Sequence, residues 1–200
     1  MYNYNKCEEG FTGLEAAIVL IAFVVVAAVF SYVVLGAGFF TSQTAQSTVH
    51  TSVAQASSSM ELVGNTYGIA DSSRAYLDYA NVTVALTAGG TPIDLSSMVV
   101  SYTDNNGGHE ANLTYEGIES DGGSCPNTGN TAKWCIAQKI NNVTAGAMLD
   151  KNAQMVIMVG LPTTATPNTQ FSINFQPSVG AVLPITRTIP GGLTAVQALY

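Results

Sequence analysis

The chain has 200 residues, of which 47% are hydrophobic and only 10% charged, and its formal net charge is −7. Six basic residues against thirteen acidic ones argue against nucleic-acid binding, which requires clustered Lys and Arg to neutralise phosphates. The same balance argues against docking onto an anionic lipid surface through a basic patch. A chain of this length has room for one domain and an extension.

The first ten residues, MYNYNKCEEG, are polar, and an apolar run begins abruptly at Phe11. An ordinary secretory signal is cleaved after its apolar segment. Here the plausible cleavage site, between Gly10 and Phe11, precedes that segment. We therefore predict that residues 1–10 are a cleaved leader and that the apolar segment keeps a role after export.

Residues 14–40 contain no proline and no charged residue except Glu15. Because an apolar helix of about 20 residues spans a bilayer, a membrane anchor is one interpretation. The apolar spacing of three or four residues continues, however, through Ala45, Val49, Val53, Ala56, Met60 and Val63. The pattern predicts one helix over residues 11–64, about 80 Å long. A rod longer than a bilayer requires copies of itself as packing partners.

Small residues recur along this predicted helix and would let neighbouring helices approach closely. We assign an assembly role to Gly13, Ala17, Ala22 and Ala28. Glu15 is the exception, because a carboxylate in an apolar bundle needs a partner. It would either have that partner in the assembly or lie at the membrane surface near the helix start.

Beyond Gly64 the hydrophobic period changes to two, and Gly-, Asn- and Asp-rich turns separate short apolar runs. Seven strands are predicted at residues 82–87, 98–103, 111–115, 132–140, 153–159, 171–175 and 182–188. No helical stretch intervenes, so a βαβ fold is not expected. Residues 65–200 are predicted to form an outer, antiparallel immunoglobulin-like β-sandwich, which makes the chain an α+β protein.

Cys125 and Cys135 remain as an even pair once the leader containing Cys7 is removed. In an exported chain such a pair favours a disulfide, and two free thiols in a surface hairpin are the alternative. Three Asn-x-Thr sequences are candidate N-glycosylation sites, at Asn81, Asn112 and Asn142.

The sequence contains no motif that indicates catalysis. His50 and His109 stand in no nucleophile motif, and phosphate-binding loops, dinucleotide fingerprints and zinc motifs are missing. The acidic residues of 104–121 do not have the spacing of a calcium-binding EF-hand. We expect no enzymatic activity, no cofactor and no metal.

The residues GFTGLE at 10–15 and the apolar run that follows closely resemble the N-terminus of archaellins, the archaeal flagellins. These proteins have a class III signal peptide that is shared with type IV pilins. LPITRTIPGG at 183–192 is similar to the closing strand of the family. The leader departs from the family pattern, because Glu8 and Glu9 stand where Lys or Arg is usual.

This resemblance implies a structural subunit of the archaeal flagellum (archaellum), an extracellular motility filament built as a homopolymer. Its precursor would be inserted transiently in the cytoplasmic membrane and cleaved after Gly10 by a prepilin-type signal peptidase. A membrane platform protein and an assembly ATPase would be further partners. Glu15 would pair with the α-amino group of Phe11 in an adjacent subunit. An adhesive type IV pilin and a membrane-anchored extracellular binding domain are the alternatives.

Overall fold

The computed structural model describes residues 6–122, 125, 132–141 and 145–200. A single long helix, α1, spans Lys6–Ser57, and the described strands all follow it. The chain divides into two compact units, Met1–Thr51 and Ser52–Tyr200. This order of elements confirms the predicted α+β class.

The strands have the following bounds in chain order: β1 Met60–Leu62, β2 Thr66–Ala70, β3 Leu77–Leu86, β4 Ile93–Asp94, β5 Val99–Asp104, β6 His109–Glu110, β7 Thr114–Ile118, β8 Lys133–Ile140, β9 Met148–Leu149, β10 Gln154–Gly160, β11 Gln170–Gln176, β12 Leu183–Thr188 and β13 Val196–Leu199. The seven predicted strands correspond to β3, β5, β7, β8, β10, β11 and β12, with their ends shifted by a few residues.

Two sheets enclose one hydrophobic core in the second unit. The larger sheet has the order β13-β2-β3-β10-β8-β7, with β1 also paired to β3, and the smaller sheet has the order β12-β11-β5-β6. Alternate residues of both sheets are buried in a single cluster, including Val82 and Ile157 from the larger sheet and Tyr102, Phe171 and Ile173 from the smaller. The two sheets therefore form the predicted sandwich. Among the described residues, the strand pairs are antiparallel except β7 with β8, which run parallel.

The helix ends earlier than its apolar spacing predicts. α1 stops at Ser57 rather than near residue 64, and strand β1 follows after two residues. Met60 pairs with Leu86 of β3 and is 5% exposed, so it belongs to the core of the sandwich and not to a helix surface. Serines favour such a helix end because their side chains compete for backbone hydrogen bonds.

Backbone hydrogen bonds fix the step from helix to strand. The Ala181 N–H donates to the Ser58 carbonyl at 3.2 Å, and the Thr87 N–H donates to the Ser59 carbonyl at 3.0 Å. Gly180 has a φ of +116°, and a Cβ at this position would lie 1.7 Å from the Ser58 carbonyl oxygen. Glycine is therefore required where this loop approaches the chain.

A disulfide joins Cys125 to Cys135, whose α-carbons lie 5.2 Å apart. Cys135 lies in β8 and is fully buried, and Cys125 is 8% exposed. The bond therefore ties residue 125 to the larger sheet. The structure therefore contains the disulfide and not two free thiols.

Candidate assembly interface

The surface of α1 is apolar along most of its length. Every residue from 13 to 53 is exposed, and the exposed fractions of Leu14, Phe23 and Phe30 are 65%, 72% and 69%. Burying one such side chain is worth about 1.5–3 kcal/mol relative to leaving it in water. Residues 13–53 are also long and apolar enough to cross a membrane. A helix with this surface requires lipid or other helices around it.

The predicted assembly residues lie on this surface without partners in the described part of the chain. A Cβ added at Gly13 would meet no atom within 4 Å, and Ala17, Ala22 and Ala28 are exposed. Glu15 shares a shallow depression with Val19 and Phe23. Gly10 and Phe11, the residues of the predicted cleavage site, both lie within α1.

The C-terminal part of α1 carries a series of threonines. The hydroxyl groups of Thr41, Thr44, Thr48 and Thr51 each donate to the carbonyl four residues earlier, at 2.8–2.9 Å. These donors are satisfied inside the helix. These four hydroxyl donors would therefore need no new partner if this stretch were removed from water.

The candidate glycosylation sites differ in their surroundings. Asn112 is exposed between β6 and β7. Asn81 lies in the middle of β3 and is half-buried, and its Oδ1 atom is buried without a hydrogen-bond partner among the described residues. Asn142 lies outside the described residues. The structure therefore presents Asn112 to solvent more openly than Asn81.

Asp104, the first of the acidic residues of 104–121, has a hydrogen-bonded carboxylate that closes the turn between β5 and β6. Asp104 accepts hydrogen bonds from the Tyr102 hydroxyl at 2.9 Å, the Thr164 hydroxyl at 2.5 Å, and the N–H groups of Asn106 and Gly108 at 2.8 and 2.7 Å. Partial burial raises the pKa of Asp104, but these hydrogen bonds outweigh it and lower the pKa overall. The carboxylate stabilises the turn.

No group of three or more His, Cys, Asp or Glu side chains within the described ranges could hold a metal ion. His50 is exposed on α1, and His109 is exposed in β6. The Thr103 hydroxyl lies 3.3 Å from Nδ1 of His109. These positions assign neither histidine a chemical role.

The sandwich buries its own apolar residues, whereas the apolar helix is exposed. Together they define a subunit whose helix must be covered by lipid or by other helices. The profile of the archaeal-type flagellin family matches residues 10–187. The chain belongs to the archaeal-type flagellin family, which confirms the resemblance seen at its N-terminus.

Individual relatives agree with this assignment. The chain is 40% identical over 201 residues to probable flagellin 1 of Archaeoglobus fulgidus, a match that covers 98% of this chain and 97% of the relative. It is 93% identical over 30 residues to the 24 kDa flagellin of Methanospirillum hungatei, covering 15% of this chain and 94% of that sequence. The solved archaeal flagellum of Methanospirillum hungatei strain JF1 matches with a TM-score of 0.68 and 30% identity, covering 94% of this chain and 98% of that one.

Proposed function

We propose that this chain is a structural subunit of an archaeal flagellar filament and that it polymerises through α1. The observation that carries the proposal is that every residue from 13 to 53 is exposed and that nearly all of those in 16–40 are apolar. The similarity to the Methanospirillum hungatei flagellum, which extends over nearly the whole chain, supports it. We assign the chain no enzymatic activity.

The length of α1 favours a polymer over a simple anchor. Its residues 16–57, which contain no Asp, Glu, Lys or Arg, extend about 63 Å at 1.5 Å per residue, whereas a bilayer has a hydrocarbon core about 30 Å thick. The charge-free surface continues well beyond the length that lipid could cover. Copies of the same helix can cover all of it.

Close packing of these helices would use the small residues Gly13, Ala17, Ala22 and Ala28. Glu15 would pair with the α-amino group of Phe11 in an adjacent subunit, because a carboxylate removed from water needs an opposite charge. This pair would set the axial register of neighbouring subunits.

The proposed route begins with a precursor held in the cytoplasmic membrane by α1. A prepilin-type signal peptidase would cleave after Gly10, and a membrane platform protein and an assembly ATPase would move the mature subunit into an extracellular filament. The division into a leader of residues 1–10, a core helix and an outer domain follows from this route. Asn112 is the glycosylation site that its exposure supports best.

Electron microscopy of filaments sheared from cells, with N-terminal sequencing of the major band, tests this function. We expect filaments whose subunit begins Phe-Thr-Gly-Leu-Glu. A subunit that begins at Met1 or after Phe40 would contradict the processing route. Loss of swimming with surface attachment retained, in a strain that lacks the gene, separates a motility filament from an adhesive pilus.

A further inference from the structure

The turn between β5 and β6 contains a sequence that favours spontaneous loss of a side-chain amide. Asn106 is followed by Gly107, and no other asparagine in the chain precedes a glycine. Because glycine has no side chain, its backbone nitrogen can approach the side-chain carbonyl carbon of the preceding asparagine closely. Both residues are exposed. Asn106 is therefore the asparagine of this chain that is most prone to deamidation when the chain is unfolded.

The folded sandwich holds the amide group of Asn106 by hydrogen bonds. Its Nδ2 atom donates to the Thr164 carbonyl at 3.2 Å, and to the hydroxyl groups of Thr166 and Thr169 at 3.0 and 2.6 Å. Thr169 is 2% exposed, so this last acceptor is shielded from water. The two hydrogens of the amide thus have three acceptors within reach, and the side chain ties the β5–β6 turn to the loop between β10 and β11.

The backbone of the same turn is also fixed. The N–H groups of Asn106 and Gly108 donate to the Asp104 carboxylate at 2.8 and 2.7 Å. The Asp104 N–H donates in turn to the Gly108 carbonyl at 2.9 Å. Ring closure requires the Gly107 nitrogen to reach Cγ of Asn106, so the side chain must turn away from its acceptors while the backbone stays held. Both sets of hydrogen bonds therefore oppose the reaction as long as the sandwich is folded.

We propose that Asn106 is a deamidation site that the fold protects and that reacts once the turn is unfolded. In the reaction the Gly107 nitrogen forms a bond to Cγ of Asn106, the Cγ–Nδ2 bond breaks, and ammonia leaves with the proton of the Gly107 N–H. Water then opens the resulting cyclic imide at either carbonyl carbon, which gives aspartate or isoaspartate at position 106. Because the site lies within the sandwich, the inference does not depend on filament assembly.

The product does not fit the site that held the amide. A carboxylate at position 106 has no N–H to donate, so the Thr164 carbonyl would face an acceptor in place of a donor. The new charge would also lie two residues from Asp104, whose carboxylate already closes the turn. Isoaspartate adds a carbon atom to the backbone inside the same turn. Deamidation of an unfolded chain would therefore oppose its return to the folded state.

Peptide mapping of the mature chain tests the protection. The chain is incubated in mildly alkaline buffer, in filaments or in detergent, and in parallel in guanidinium chloride. Cleavage after tyrosine releases residues 103–115, and fragmentation in a mass spectrometer locates the lost amide. We expect loss at Asn106 to be about tenfold slower or more in the folded chain, which corresponds to about 1.4 kcal/mol in the barrier. Equal rates in both states, or faster loss at Asn105 or Asn112 than at Asn106 in denaturant, would overturn the proposal.

A hydroxyl deletion tests the hydrogen bonds themselves. Thr169→Val removes the acceptor at 2.6 Å and keeps the shape of the side chain, and we expect deamidation at Asn106 in the folded chain to become about fivefold faster. Thr186→Val, at an exposed position of β12, should leave the rate unchanged. A Thr169→Val chain that is folded by circular dichroism and reacts no faster than the wild type would contradict protection by these bonds. The wild-type comparison needs no variant and decides the case in which Thr169→Val does not fold.

Two aspartate variants test the consequence of the reaction. Asn106→Asp loses the amide donors, and we expect the folding equilibrium constant of the sandwich to fall about tenfold, or about 1.4 kcal/mol. Asn105→Asp is the matched control, because the Asn105 side chain accepts a hydrogen bond from the Gln170 N–H at 3.2 Å, which a carboxylate also accepts. Denaturant titration of the mature chain in detergent measures both variants. Equal losses in the two variants would contradict a specific requirement for the amide of Asn106.

Discussion

Side chains of the same kind are exposed in one unit of the chain and buried in the other. Phe30 in α1 is 69% exposed, whereas Phe171 in β11 is 1% exposed within the core of the sandwich. The sandwich buries its apolar residues against one another. The helix cannot, because its apolar residues surround it on all sides. One chain thus contains a self-sufficient fold and a segment that depends on its surroundings.

Removing the helix should give the largest effect. We expect residues 52–200, which form the second compact unit, to be a folded monomer in buffer without detergent. The mature chain should instead form filaments or require detergent. Light scattering after size-exclusion chromatography and circular dichroism measure both states. Filaments formed by the truncated chain would contradict this difference between the two units.

Two matched phenylalanine substitutions should test the difference between the two units more closely. Phe171→Ala removes a buried ring, and we expect it to lower the free energy of unfolding of residues 52–200 by about 3–5 kcal/mol. Phe30→Ala should leave the unfolding of the sandwich in the mature chain unchanged and lower the temperature at which filaments dissociate. Denaturant titration and thermal light scattering provide the two readouts. Equal effects of both substitutions on sandwich stability would contradict the separation.

Replacing Gly180 should destabilise the connection between α1 and β1. Gly180→Ala forces a Cβ against the Ser58 carbonyl at a positive φ, and we expect a loss of about 2 kcal/mol in unfolding free energy of residues 52–200. Gly192→Ala is the control, because a Cβ there meets no atom within 4 Å. Thermal unfolding of both variants measures the difference. A Gly180→Ala chain as stable as the control would show that the loop can move aside.

The smallest expected effect concerns Asp104. Because its pKa is lowered by folding, the carboxylate stabilises the fold above the unfolded pKa of about 3.9, and this contribution is lost as pH falls through the lower folded pKa. Asp104→Asn should cost about 1 kcal/mol at neutral pH, and the difference from the wild type should shrink as the solution becomes strongly acidic. Glu61→Gln, at an exposed position, is the control. A stability difference between Asp104→Asn and the wild type that is constant with pH would contradict the lowered pKa of Asp104.

Strong periodic patterns made most of the fold predictable. The seven predicted strands are present because alternation of apolar and polar residues reflects one buried face. Short strands such as β1 and β13 were missed, since three or four residues are too few to show a period. Met60 fits the helical spacing but lies in β1, because pairing with Leu86 places it in the core. Tertiary contacts, not local pattern, decided where α1 ends.

The site was predictable only in part. The apolar, charge-free character of α1 follows directly from the sequence, and the roles of Glu15 and the small residues remain predictions about contacts between subunits. The three glycosylation sequences look alike in sequence, but burial distinguishes Asn81 from Asn112.

The short step from α1 to β1 has a mechanical consequence. Only Ser58 and Ser59 separate the last turn of the helix from the sheet, and the carbonyl groups of both are held by N–H groups of the sandwich. A force along the chain at residues 58 and 59 therefore loads these two hydrogen bonds together with the covalent backbone, so the first residues of the second unit resist being peeled away from its sheets.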